Sequence, residues 1–238
     1  MSGESELLRD SFAKHIGPFT VMLAITEGAD STPTGVRNNG SGTLINTGQG
    51  RFLITNDHVY QAFQDRGEAK LLMSVKGGFI DISNMVVVDR DPDFDLAVLC
   101  VPEDLIHRHG KMFSPWPFWP PRRPEDDMGA FIYGYPGLGR EVLEDSLGIR
   151  PALIGMRVAC AGERHFILAD VYNDIENTPP PGAKELTDLG GMSGSAVYVM
   201  PQTKDDLFLG GFMFQANSLG ILVSYADRIR ADGTMCGS

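Results

Sequence analysis

Three short motifs place a histidine, an aspartate and a serine along the 238 residues of this chain, in the order His58, Asp95, Ser193. His58 and Asp95 each stand beside a short apolar run, and Ser193 lies on a turn flanked by Gly191 and Gly194. A serine hydroxyl becomes a nucleophile only when a base lies within hydrogen-bond reach, and that base needs a partner to orient it. The order of the three residues constrains the fold, because unrelated folds build this triad in different chain orders.

The motifs are Ile-Thr-Asn-Asp-His-Val around His58, Asp-Leu-Ala-Val-Leu from Asp95, and Gly-Met-Ser-Gly-Ser-Ala-Val around Ser193. The order His, Asp, Ser is that of chymotrypsin, whereas subtilisin has Asp, His, Ser and the α/β-hydrolases have Ser, Asp, His. Over most of residues 17–225 the chain therefore resembles the trypsin-like serine proteases, in their bacterial form. The resemblance implies an all-β fold of two packed antiparallel six-stranded barrels, with short N- and C-terminal helices.

Short runs rich in Val, Ile and Leu, separated by turn residues, independently predict strands along most of the chain. The first set comprises Phe19–Thr26, Gly42–Thr47, Arg51–Thr55, Leu71–Val75, Phe79–Ile82, Met85–Val88 and Leu96–Val101. The second set comprises Ala130–Tyr133, Ile149–Cys160, His165–Val171, Ser195–Met200, Leu207–Phe214 and Leu219–Val223. Six or seven closely spaced strands in each set predict closed antiparallel barrels.

These patterns divide the chain into four parts. The predicted parts are an N-terminal helical extension (1–16), a first barrel with His58 and Asp95 (17–105), a proline-rich linker (106–128), and a second barrel with Ser193 and a short C-terminal helix (129–238). In the extension, Leu8, Phe12 and Ile16 recur every four residues, which predicts an apolar helix stripe that packs on a barrel or docks a partner.

An aromatic cluster lies inside the proline-rich linker. Trp116, Phe118 and Trp119 are expected to anchor the linker in an apolar groove, and a substrate-facing aromatic platform is the alternative.

Composition excludes several classes of protein. The net charge of −11 and the lack of clustered Lys and Arg argue against a nucleic-acid partner. No run approaches the roughly 18 apolar residues of a membrane span, so no membrane partner is expected. Cys100, Cys160 and Cys236 are an odd number of cysteines, which favours free thiols, with Cys100 buried at a strand end. Charged residues near the N-terminus do not fit a signal peptide, and the expected location is the cytoplasm.

His58 is the best candidate for the catalytic base because it alone follows a strand and opens a helical stretch. Asp57 is expected to cap that helix and to point away from His58. Among the other histidines, His15 and His165 are expected at the surface. His107 and His109 are weak evidence for a zinc site because no third ligand lies nearby, so no metal and no cofactor is expected.

Asp95 is the candidate partner of the base because it stands at the mouth of an apolar strand, and Asp93 is the alternative. The N–H groups of Gly191 and Ser193 are expected to form an oxyanion hole. Zymogen-activated members of the family carry an aspartate where this chain has Met192. A methionine cannot pair with a new terminal ammonium, so activation by N-terminal insertion is not expected.

The resemblance also implies where the pocket for the residue before the cleaved bond lies. Thr187 and Asp188 from the segment before the serine, with Met213 and Phe214 from a later strand, are the expected walls. Asp188 favours Lys or Arg if it faces the pocket, whereas the apolar wall favours hydrophobic residues. Glutamyl-specific members have a histidine where Met213 falls, so a preference for acidic residues is not supported.

Together these features predict an intracellular trypsin-like serine endopeptidase that works through an acyl-enzyme, in a regulatory or defence role. Its expected partners are a protein or peptide substrate and a regulatory protein. The alternative is a protease-like module that binds peptides with little or no turnover.

Overall fold

The computed structural model describes residues 11–27, 36–114, 118–137, 140–143, 146–169, 189–201, 207–217 and 220–236. Three helices lie among them: α1 (residues 11–16), α2 (Asp57–Gln64) and α3 (Glu103–Arg108). Short 3₁₀ turns cover Gly17–Phe19 and Ala226–Arg228.

The first half of the chain forms a seven-stranded antiparallel sheet. Its strands are β1 (Thr20–Thr26), β2 (Val36–Asn46), β3 (Arg51–Thr55), β4 (Leu71–Val75), β5 (Gly78–Asp81), β6 (Val87–Asp91) and β7 (Leu96–Cys100). The strand order is β5-β4-β1-β2-β3-β7-β6. Buried apolar residues of this sheet form one core cluster, to which α2 contributes Val59, Tyr60 and Phe63.

The second half forms a closed six-stranded barrel and a separate hairpin. The barrel order is β11-β12-β15-β14-β13-β8, and the hairpin pairs β9 with β10. The strands are β8 (Gly129–Gly134), β9 (Arg140–Leu143), β10 (Ser146–Ile149), β11 (Ala152–Ala161), β12 (His165–Ala169), β13 (Ala196–Met200), β14 (Phe208–Asn217) and β15 (Gly220–Tyr225).

The predicted fold class is confirmed: a closed barrel and a second large antiparallel sheet, consistent with the chymotrypsin-like double barrel. Some boundaries differ from the predictions. β2 begins at Val36, whereas the sequence predicts a strand from Gly42. Residues 38–42 have the Asn, Gly and Ser composition of a turn, but they pair with β1. The β9–β10 hairpin was not predicted, and α3 runs across the predicted start of the linker at residue 106.

A third apolar cluster joins the two halves of the molecule. It combines Ile45 and Ile54 of the first sheet with Tyr198 and Phe212 of the second, all buried. Trp119 of the linker is buried in the same cluster. The cluster holds β2 and β3 against β13 and β14. Of these strands, β3 ends three residues before His58 and β13 begins three residues after Ser193.

The linker and the N-terminal helix are anchored on this cluster. The ring of Phe118 packs edge-on against Tyr198 at 5.1 Å, so the anchoring interpretation is confirmed for Phe118 and Trp119. Ile16 is fully buried in the cluster, and the ring of Phe12 lies 4.3 Å from that of Phe131. The described part of the helix therefore packs on the barrels. Leu8 and Trp116 lie outside the described residues.

All three cysteines are free thiols. The expectation that Cys100 is buried is wrong: it is exposed at the last position of β7, where the strand leaves the core after four buried residues. None of the helices in the described ranges is long and apolar enough to cross a membrane.

Candidate active site

His58 and Asp95 are brought together by the pairing of β3 with β7. Thr55 pairs with Ala97 in this ladder, so the segments just after β3 and just before β7 lie side by side. Nδ1 of His58 donates to Oδ2 of Asp95 over 2.6 Å, and the main-chain N–H of His58 donates to Oδ1 over 2.8 Å. The carboxylate thus holds the histidine at two points, which fixes both the ring and the first turn of α2.

Asp95 has an unusual backbone conformation that suits this role. Its φ is +53°, in the left-handed region that an aspartate tolerates better than most residues. The side-chain amide of Asn56 donates to the carbonyl of Asp95 over 2.7 Å and secures the turn. The side chain of His58 is 52% exposed and that of Asp95 is 19% exposed, so the ring is open to a ligand while its partner is shielded.

Asp57 points away from His58, as expected, but it does not cap α2. Its buried carboxylate accepts from Nε of Arg90 over 2.5 Å, and no side-chain cap bond forms at the start of the helix. The same guanidinium donates to Gln61 over 2.6 Å and lies over the ring of Tyr60 at 5.0 Å. Arg90 therefore holds α2 through contacts with Asp57, Gln61 and Tyr60.

Ser193 lies on a loop whose backbone conformation requires glycine at two positions. Gly191 has a φ of +96° and Gly194 a φ of +90°. A Cβ at Gly191 would lie 2.3 Å from Nδ2 of Asn39, and one at Gly194 would lie 2.1 Å from the carbonyl of Ser41. Both contacts are with β2, so the loop is packed directly on the first sheet.

Ser41 connects this loop to the first sheet. Its N–H donates to the carbonyl of Ser193 over 2.7 Å, and its hydroxyl donates to the carbonyl of Gly191 over 2.9 Å. The same hydroxyl accepts the N–H of Tyr135 over 3.0 Å. Sequence reasoning missed this residue. The signal in the sequence was its position between two glycines, Gly40 and Gly42. In the structure, a Cβ added to either glycine would lie 2.7 Å from a packed side chain.

The structure places the serine loop beside the strand that leads to His58. A Cβ at Gly194 would also lie 2.7 Å from Oγ1 of Thr55, the last residue of β3 and three positions before His58. Among the described residues, no hydrogen bond joins His58 to Ser193. Such bonds are often long without substrate and tighten in the complex. Two members of the predicted triad are thus joined, and the third lies on a neighbouring segment.

The main-chain N–H groups of the loop fall into two kinds. Those of Met192, Gly194 and Ser195 donate to carbonyls within the protein. Those of Gly191 and Ser193 donate to no acceptor in the described part of the chain. These two amides are the donors that the sequence predicts for an oxyanion hole.

The expected pocket residues differ in their surroundings. Met213 is buried in the core of the second barrel, and its main chain bonds to Gly194 and Ser195 over 2.8 and 2.9 Å. Phe214 is half-buried, with its ring 4.9 Å from that of His165. Thr187 and Asp188 lie outside the described residues.

The expectation of a surface position for His165 is wrong. Its ring is half-buried between Phe94 and Phe214, at 5.7 and 4.9 Å. Burial lowers the pKa of His165, and the charges of Arg164 and Arg228 lower it further. Packing between β12 and the turn before Asp95, which sequence alone did not show, places the ring there.

Met192 is completely buried in the apolar core of the second barrel. A methionine side chain offers no counter-charge to an ammonium group. No group of three or more His, Cys, Asp or Glu side chains in the described ranges is arranged to hold a metal ion.

Comparison with known proteins shows a likeness of fold. No family model matches the sequence, and no curated protein matches it. The chain is similar to a solved structure described as "Crystal structure of Deg5", with a TM-score of 0.56 and 17% identity. The match covers 93% of this chain and 90% of that chain. At this identity the likeness concerns the fold alone, which is the double-barrel, chymotrypsin-like class.

Proposed function

We propose that this protein is a trypsin-like serine endopeptidase in which Ser193 is the nucleophile, His58 the base and Asp95 the residue that orients the base. The observation that carries the proposal is the two-point contact of Asp95 with the ring and the main chain of His58. A carboxylate in this position fixes the tautomer with the proton on Nδ1, which leaves Nε2 able to accept a proton.

The chemistry follows from these roles. Ser193 Oγ attacks the peptide carbonyl while Nε2 of His58 takes the hydroxyl proton, and the resulting oxyanion binds the free N–H groups of Gly191 and Ser193. The tetrahedral intermediate collapses to an acyl-enzyme as His58 gives its proton to the leaving amine. Water then attacks the acyl-enzyme while His58 takes its proton, and His58 returns that proton to Ser193 as the carboxylic acid product leaves. Loss of one oxyanion donor typically costs about 3 kcal/mol in the transition state.

We propose a protein or peptide substrate, with Met213, Phe214, Thr187 and Asp188 as walls of the pocket for the residue before the cleaved bond. The main-chain bonds of Met213 to Gly194 and Ser195 support this, because they place β14 beside the nucleophile loop. Cleavage of a peptide library, with the cut sites identified by mass spectrometry, distinguishes a preference for basic residues before the cleaved bond from a preference for apolar residues. Cuts after Lys or Arg indicate that Asp188 faces the pocket, whereas cuts after apolar residues indicate the Phe214 wall.

A second candidate function is peptide binding with little or no turnover. One observation favours it, namely that no hydrogen bond joins His58 and Ser193 in the described part of the chain. Binding of library peptides without any cut product would support this candidate over the protease.

We further propose a cytoplasmic setting, a regulatory or defence role controlled by a partner protein, and no nucleic-acid or membrane partner. Three free thiols support a reducing compartment. The net charge of −11 supports the lack of a phosphate-bearing partner.

The decisive experiment is labelling with a serine-directed phosphonate followed by peptide mapping. We expect modification at Ser193, and its loss in Ser193→Ala and His58→Ala. Ser195→Ala is the matched control, because Ser195 lies two residues away with a buried hydroxyl that has no hydrogen-bond partner. Normal peptide cleavage by Ser193→Ala would rule out the assignment.

A further inference from the structure

A cavity of about 380 Å³ lies away from the candidate triad, where the β4–β5 hairpin meets the segment after α3 and the start of the second barrel. Its polar lining is Ser74, Lys76, Lys111 and Tyr135. Its apolar lining is Pro18, Val75 and Pro151. No acidic residue lines it within the described part of the chain, although the whole protein carries a net charge of −11.

Lys111 places a cation inside this cavity. Its side chain is mostly buried, and Nζ donates to the carbonyl of Thr20 over 2.6 Å. Among the described residues no carboxylate pairs with this ammonium. Burial lowers the pKa of Lys111 to about 8, which is the expected response of an ammonium that lacks a counter-charge. An anion in the cavity would supply that charge.

The other groups indicate the class of the anion. Burial raises the pKa of the Tyr135 hydroxyl, so this group stays neutral. Lys76 is exposed at the rim. One inner cation matches a single negative charge, and the apolar walls match a hydrocarbon group. An organic monocarboxylate meets both requirements better than a phosphate dianion.

Tyr135 also connects the cavity to the candidate oxyanion loop. Tyr135 lines the cavity. Its main-chain N–H donates to Ser41 Oγ over 3.0 Å, and its carbonyl accepts from Asn39 Nδ2 over 3.0 Å. Ser41 bonds to the carbonyl of Gly191, and Asn39 packs on Gly191. Through Ser41 and Asn39, the main chain of Tyr135 is therefore linked to Gly191, two residues before Ser193.

We propose that this cavity is a regulatory site that binds an organic carboxylate between Lys111 and Tyr135, and that its occupancy favours the ordered oxyanion loop. The binding part of this proposal is independent of the proposed protease function, and the regulatory part rests on it. By linkage, a ligand that binds the ordered loop state more tightly must raise the population of that state.

Binding is tested on the full chain by calorimetry, with sodium benzoate as the probe and benzamide as its neutral isostere. We expect a benzoate Kd of about 1 mM, typical of a ligand of this size, and much weaker binding of benzamide. Equal affinities would overturn the carboxylate assignment. Inorganic phosphate is the second control, and tighter binding of phosphate than of benzoate would also overturn it.

The source of the carboxylate is distinguished by a third probe, N-acetylglutamate amide, which carries an acidic side chain between blocked ends. Tighter binding than benzoate supports an acidic peptide side chain as the natural ligand. Weaker binding supports a free small acid.

The position of the site is tested by trace acetylation of lysines, mapped by mass spectrometry. Benzoate should protect Lys111 and leave Lys14, which is exposed on α1, unprotected. Lys111→Met should weaken benzoate binding by about tenfold, the usual effect of losing a charged hydrogen bond, and Lys14→Met should not change it. If Lys111→Met does not fold, Lys111→Gln and Tyr135→Phe provide the same comparison. Equal protection of both lysines would place binding elsewhere.

Regulation is tested by the rate of phosphonate labelling at Ser193. Saturating benzoate should raise this rate by about fivefold in the parent chain, a typical coupling between sites, and should have no effect in Lys111→Met. Labelling that is unchanged by benzoate would overturn the regulatory part. If Ser193 never labels but benzoate still protects Lys111, the protease function fails and the binding site stands.

Discussion

The hydroxyl of Ser41 donates a 2.9 Å hydrogen bond to the carbonyl of Gly191, which lies 150 residues further along the chain. This bond joins the first sheet to the loop that carries the candidate nucleophile. The loop is thus positioned by residues of the other half of the molecule as well as by its own glycines.

Replacing Ser41 with alanine should impair catalysis more than folding. The change leaves the N–H of Tyr135 and the carbonyl of Gly191 without their partner, which costs about 1–3 kcal/mol for buried groups. We expect kcat to fall by about ten- to a hundredfold with little change in KM, measured on a peptide substrate. Ser195→Ala is the control, because its buried hydroxyl has no partner and its loss should leave stability unchanged or higher. Equal effects of the two substitutions would contradict the role of Ser41.

Gly194→Ala should abolish both labelling and activity. The residue has a φ of +90°, and a Cβ there would meet the carbonyl of Ser41 at 2.1 Å, where main-chain atoms cannot give way. Gly67→Ala is the matched control, because Gly67 has a φ of +61° with open space around it. That substitution should lower the free energy of unfolding by only about 1–2 kcal/mol, the cost of placing a residue with a Cβ in the left-handed conformation. Urea unfolding and phosphonate labelling of both variants separate steric contact from backbone strain.

Arg90→Met should destabilise the protein by about 3 kcal/mol, because it leaves the buried carboxylate of Asp57 without its counter-charge. The double variant Arg90→Met, Asp57→Asn removes both charges and should recover much of the loss in urea unfolding. No recovery would show that Arg90 acts through its contacts with Tyr60 and Gln61 instead.

These residues show which features a sequence can predict. His58, Asp95 and Ser193 could be selected as candidates because each stands beside an apolar strand, and strand pattern is a local property. Ser41, Arg90 and the inner position of His165 depend on contacts between segments distant in the chain, and no local pattern reports them. The hairpin β9–β10 was missed for a related reason, since its short strands carry no alternating apolar pattern.

His165 should make stability depend on pH below neutrality. Its pKa is lower in the folded state than the ordinary value near 6.5, so in the window below 6.5 the unfolded chain binds more protons. Stability is therefore present above pH 6.5 and is lost as the pH falls through the folded pKa. In urea unfolding, the loss between pH 7 and pH 5 should be smaller for His165→Gln than for the parent chain. An identical loss in His165→Gln would contradict the assignment.

Removal of residues 1–16 should weaken the protein and should not activate it. Met192 is buried in an apolar core, and its side chain offers no counter-charge to a new N-terminal ammonium. Ile16 is fully buried between the two sheets, and its carbonyl accepts the hydroxyl of Thr20 over 3.2 Å. A chain trimmed to begin at Gly17 loses this packing, and Ile16→Ala in the intact chain should cost about 2–4 kcal/mol for the same reason. Lys14→Ala, on the exposed side of α1, should cost little. The measurements are the melting temperature and the rate of phosphonate labelling at Ser193. If the trimmed chain labels and the intact chain does not, a terminal activation mechanism operates and the inference from Met192 is wrong.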